Sequence, residues 1–196
     1  MGLLTPFTSP TDPRWHGFQR HHHALFFIKS VILAPFIILV IVDYALFKSW
    51  WESGSYSYHK SWEYAPYQFW LRIGLALIPD IILTLIYLIL ILNPLHRSTY
   101  SLHPVFALVA SICMLGPYAT VCWLNPMIAM SNEVGFPNME KWEQIMWAET
   151  GMQALLALMW IEMMIASCVA VHKWRKGRKV AGGLGGSGAE GELGRV

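Results

Sequence analysis

The chain is predicted to be all-α, a bundle of four transmembrane helices with both termini cytosolic. Three observations predict it. Charged residues make up only 13% of the 196 residues and hydrophobic ones 55%, whereas a soluble domain carries about 25% charge. Four apolar stretches are each long enough to cross about 30 Å of hydrocarbon at about 1.5 Å per residue. The Lys and Arg residues also fall unevenly between the segments that join those stretches. The mean hydropathy of +0.42 agrees, and the net charge of +2 gives no electrostatic footprint for nucleic acid.

The spans are read as 24–47, 69–92, 104–124 and 146–171, within a membrane domain of residues 24–172. Residues 1–23 form a polar N-terminal arm with Pro6, Pro10 and Pro13. The first span is too long for the apolar core of a signal peptide, so no cleaved leader is expected. Pro94 closes the second span and Pro104 opens the third. Residues 173–196 form a basic, then glycine-rich tail that is expected to be disordered, because such a composition cannot bury a core. On this reading 10 of the 14 Lys and Arg lie on the side of the termini, which the positive-inside rule makes cytosolic. The loop between the first two spans is rich in Trp and Tyr, from Trp50 and Trp51 to Trp62 and Trp70. Such rings settle at the headgroup level, so this loop should lie along the outer interface.

Cysteine and histidine counts exclude several classes. Cys113, Cys122 and Cys168 all lie within spans. No disulfide can therefore form in the outer loops, and tetraspans that depend on one are excluded. Cys168, near the cytosolic end of the fourth span, is a candidate for palmitoylation. The eight histidines include the run His21, His22 and His23, but they lack the several boxes that a diiron site needs. None sits mid-span as a haem ligand would. No metal or cofactor is expected.

Six ionisable residues fall within spans: Lys29, Asp43, Arg72, Asp80, Glu149 and Glu162. An unpaired charge at the bilayer centre costs about 2.5–3.5 kcal/mol on insertion scales. Asp43 and Arg72 lie near the outer ends of adjacent spans and are expected to form an ion pair. Asp80 and Glu162 lie near mid-depth and should both face the bundle interior, as packing groups or as a functional pair. Lys29 is placed closer to the cytosol, so neither acid has an opposite charge at its own depth, and at least one should be protonated. Lys173, Arg175, Lys176, Arg178 and Lys179 follow the last span, where they can contact anionic lipid headgroups.

The arm-to-helix segment Phe18-Gln19-Arg20 to Phe26-Phe27-Ile28-Lys29, the opening Leu102-His103-Pro104-Val105-Phe106, and the exit Cys168 to Val171-His172-Lys173 resemble MARVEL-like tetraspan proteins of the fungal type. The resemblance covers about residues 18–179. It implies a non-enzymatic, membrane-organising or scaffolding role, through lipid domains, self-association or other membrane proteins, in the plasma membrane or endomembrane system. No catalytic residue is carried over. The alternative is a small proton-coupled transporter, or a lipid- or sterol-modifying enzyme like the emopamil-binding isomerases, using Asp80 and Glu162.

Overall fold

The computed structural model describes residues 5–8, 13–15, 17, 20–52, 70–92, 102–130 and 139–186. All regular structure among them is helical. Four long helices follow in order: α1 (His21–Glu52), α2 (Leu75–Leu92), α3 (Pro104–Met130) and α4 (Met139–Gly186). Each contains a stretch long and apolar enough to cross a membrane, the build of a multi-pass membrane protein. The aromatic outer loop lies almost wholly outside the described residues.

α1, α3 and α4 run beyond the expected spans at their ends, whereas α2 starts six residues inside its own. α2 is led in by one π-helical turn, Trp70–Gly74. Pro79 sits inside α2 and cannot donate to the carbonyl of Leu75, so the ladder is already interrupted here. Pro35 in α1, and Pro117 and Pro126 in α3, are likewise interior. Membrane helices tolerate this because neighbouring groups re-satisfy the freed carbonyls. Hydroxyls within the spans bond back along their own helices: Ser30 to the Phe26 carbonyl, Ser111 to Ala107, and Ser167 to Met163, each at 2.8 Å. Each donor is thus satisfied without water.

A single buried stripe on each helix builds the bundle. On α1 it comprises His22, Phe26, Lys29, Leu33, Phe36, Val40 and Asp43. These positions alternate steps of four and three, which averages 3.5 residues and keeps a stripe facing the same neighbours in a left-handed bundle. α3 buries Ala107, Ser111, Met114, Tyr118, Val121 and Asn125 at the same spacing, and α4 buries Met146, Glu149, Gln153, Leu156, Trp160, Met163 and Ser167. In the third span the small residues Ala107 and Ser111, four apart, are buried, whereas Gly116 and Thr120, at the same spacing, are exposed. α3 packs most extensively against α4, then α1 against α4 and α2 against α3. The consecutive helices α1 and α2 scarcely approach through their backbones. Side chains span the interval between them.

The described arm residues and the Trp174 region of α4 meet the start of α3 at one end of the bundle. The arm does not hang free. Thr5–Thr8 and Pro13–Trp15 are short helical turns, and Trp15 is fully buried with its indole N–H donating to the Leu102 carbonyl at 2.8 Å. Pro104 is the first residue of α3, and His103 before it accepts at Nδ1 from the Val105 amide at 3.2 Å. The His103 ring meets Trp174 edge-on at 5.0 Å, which ties α3's start to α4's end. The expected tail is corrected here. α4 runs unbroken through the basic residues to Gly186, so Lys173, Arg175, Lys176 and Arg178 stand exposed on a helix. Stacking of the Arg178 guanidinium over Trp174, at 5.1 Å, supports that extension. Lys179's side chain and residues 187–196 lie outside the described residues.

Candidate functional site

The centre of the bundle holds a polar hub to which all four helices contribute. α1 brings Lys29, α2 brings Asp80 and Thr84, α3 brings Tyr118 and α4 brings Trp160, all within the buried stripes. The Lys29 ammonium is in direct contact with Asp80 Oδ1 in a fully buried ion pair, and it donates to the Thr84 hydroxyl at 2.7 Å. The Tyr118 hydroxyl donates to Asp80 Oδ2. The indole N–H of Trp160 reaches the same oxygen at 3.3 Å. Thr84 lies 3.2 Å from Oδ1, and its hydroxyl also bonds back to the Asp80 carbonyl at 2.7 Å. The ammonium sits 4.6 Å from the centre of the Trp160 ring, so a cation–π contact adds to the charge pair.

Lys29 therefore corrects the expectation that Asp80 has no opposite charge at its depth. α1 starts at His21, so Lys29 is about 12 Å into the helix at 1.5 Å per residue. Its four-carbon stem lets the ammonium reach Asp80, with which it pairs. A buried charge is tolerated only when paired and hydrogen-bonded, and the hub meets both conditions.

Glu162 is corrected as well. Its side chain is exposed on the outer surface of α4. It follows Trp160 by two residues, about 200° around a helix of 3.6 residues per turn, so it points away from the interior. Asp80 and Glu162 thus form no pair. Position along a span carries no information about which face a residue takes.

Two further polar groups lie along the same interior. Away from the termini, Asp43, Asn125, Glu149 and Gln153 are all fully buried, and the Asn125 amide donates to Gln153 Oε1 at 2.7 Å, linking α3 to α4. Arg72's side chain lies outside the described residues, and with it the expected Asp43–Arg72 pair. We expect Asn125→Leu to cost about 1–3 kcal/mol by stranding the Gln153 amide. Thermal unfolding in micelles should show the Asn125→Leu/Gln153→Leu double variant melting above the single one. Towards the termini, His22 and His23 are buried. The His22 ring makes tilted contacts with Trp15, at 4.6 Å, and with Tyr87, at 6.0 Å, and the Tyr87 hydroxyl donates to the Ala107 carbonyl at 3.3 Å.

Cys168 is exposed on α4 and unbonded to another cysteine. Among the described residues no three His, Cys, Asp or Glu side chains converge to hold a metal ion. Sequence reasoning missed Thr84, Tyr118 and Trp160, whose types are too common in membrane helices to stand out singly. No protein-family model, curated protein or solved structure matches the chain.

Proposed function

We propose that this chain is a non-enzymatic, membrane-organising protein that keeps one fixed four-helix form and acts through its lipid- and protein-facing surfaces. The occupancy of Asp80 carries the reading. An ionised carboxylate has about four acceptor positions, and Lys29, Tyr118, Trp160 and the nearby Thr84 crowd them from within the protein. A proton carrier or a general acid needs a face turned to water or substrate. Here the acid binds helices to one another. The MARVEL-like resemblance points the same way.

Flux separates this reading from a proton-coupled transporter. Reconstituted protein should dissipate an imposed pH gradient no faster than empty vesicles. The charge-free Lys29→Met/Asp80→Leu variant should keep the natural membrane distribution in cells. Proton flux by the natural chain that this variant loses would replace the organiser with a transporter.

The distribution of Lys and Arg supports cytosolic termini, in the plasma membrane or endomembrane system. Lys173, Arg175, Lys176, Arg178 and Lys179 then meet anionic lipid at about 1 kcal/mol each, and Cys168 is placed for palmitoylation. In sealed vesicles with the cytosolic face outward, protease should remove residues 187–196. Complete protection of that segment would reverse the orientation.

A further inference from the structure

The start of α1 holds an imidazole that packs without bonding. His22 is fully buried, and neither of its ring nitrogens meets a hydrogen-bond partner. Its surroundings are rings: Trp15 of the arm at 4.6 Å, His23 at 5.5 Å and Tyr87 of α2 at 6.0 Å. Trp15 also meets His23 edge-on at 5.0 Å, so the arm's buried anchor rests on the two imidazoles. The rest of the arm is laid over the same end of the bundle. Thr5–Thr8 packs on α1 and α2, and Pro13–Trp15 on α4.

This cage suits a neutral ring. On the elements packed around it, the titratable and charged groups are His23 on α1, Arg14 in the arm, Tyr87 and Asp80 on α2, and His172 and Lys173 on α4. Asp80 is the carboxylate among these, and it is already in contact with Lys29 and Tyr118. The described residues of α3 include no acid. A proton on His22 would therefore make a buried charge with no counter-ion, on a ring that already forgoes its hydrogen bonds, and such a charge is strongly disfavoured. In a released arm the ring meets water and takes up a proton below about pH 6.5, as an ordinary imidazole does. The released state thus binds more protons than the docked one. Docking keeps its full strength above that pH and weakens as the pH falls through it.

We propose that His22 makes the N-terminal arm an acid-released latch: the neutral ring seats Trp15, and a proton on the ring expels it and frees the arm. Release uncovers Phe7 and Trp15 and removes the donor from the Leu102 carbonyl just before α3, so acidification changes the surface that this end of the bundle presents. The latch stands on the packing at His22 and does not depend on the membrane-organising reading.

The test is trypsin cleavage after Arg14 in the purified full chain in micelles. At each pH the rate is divided by that on a synthetic peptide of residues 1–23, which removes the pH dependence of the protease. The corrected rate should rise about tenfold from pH 7.5 to 5.5, the effect of one proton over about one unit below pH 6.5. His22→Phe puts an uncharged ring in the cage. It should be cleaved no faster than the natural chain at pH 7.5 and change less than about twofold down to pH 5.5. A flat corrected rate in the natural chain would overturn the latch. So would an equal rise in His22→Phe, which would assign the proton to another group, or faster cleavage of that variant at pH 7.5, which would show that the cage does not select an uncharged ring. Histidine 15N spectra read the ring itself, with the His22 signals assigned by their loss in His22→Phe. They should be those of a neutral imidazole at pH 7.5, and a cationic ring there would also refute the proposal.

Discussion

Asp80→Asn should destabilise the bundle by about 3–5 kcal/mol, although the two side chains are nearly equal in size. The cost comes from the partner. An amide cannot neutralise the Lys29 ammonium, which stays buried with no other described charge in contact with it, and breaking a buried pair from one side costs this much. Lys29→Met should cost a similar amount for the converse reason, leaving a carboxylate among Tyr118, Trp160 and Thr84. The Lys29→Met/Asp80→Leu double variant should recover most of the loss, because apolar replacement of a whole buried pair is commonly neutral or stabilising. Thermal unfolding in micelles across this cycle measures the coupling directly. A single Asp80→Asn variant that melts like the natural protein would show that the pair is not ionised. The sequence alone favours the opposite expectation, a mild effect, because it leaves Asp80 protonated and without a cation.

That reversal shows what was legible and what was not. Four spans and the helix start at Pro104 follow from hydropathy and local sequence, since membrane helices must be long, apolar and internally bonded, whereas the first helix starts at His21, three residues before the expected span. Which side of each helix faces inward is harder to read, because a helix apolar all round lacks the contrast that marks a face in a soluble protein. A signal is nonetheless present. Polar or aromatic-polar residues recur at intervals of seven or fourteen positions: His22, Lys29 and Asp43 on α1, Asp80 and Tyr87 on α2, Ser111, Tyr118 and Asn125 on α3, and Gln153, Trp160 and Ser167 on α4. Every one of these is buried. Glu162 is out of phase with its helix's set, and that phase places it outside. Arm docking had no comparable signal. Trp15 and Phe7 sit among prolines and polar residues, and only the tertiary fold brings them against α1 and the start of α3.

Trp15→Ala should release that arm while leaving the spans folded. Trp15 is fully buried, its ring packs 4.6 Å from His22 and 5.0 Å from His23, and its N–H serves the Leu102 carbonyl. Truncating a buried Trp costs about 3–5 kcal/mol, and the carbonyl loses its donor as well. Phe7, against Phe26 at 6.4 Å and Phe27 at 5.3 Å, is too small an anchor to hold the segment alone. The loss should therefore appear as local opening, because the hub and the α3–α4 contact do not depend on the arm. A change of about 3 kcal/mol is a little over a hundredfold in the open population at 1.4 kcal/mol per tenfold. Trypsin cleavage after Arg14 and Arg20 in micelles should accelerate by that factor, with the unfolding temperature of the spans little changed. Trp15→Phe keeps most of the buried ring and loses the hydrogen bond, so its acceleration should be about tenfold. Equal cleavage rates in all three proteins would mean that the arm is not held by Trp15, and a collapse of the whole bundle in the Ala variant would mean that the arm is part of the core.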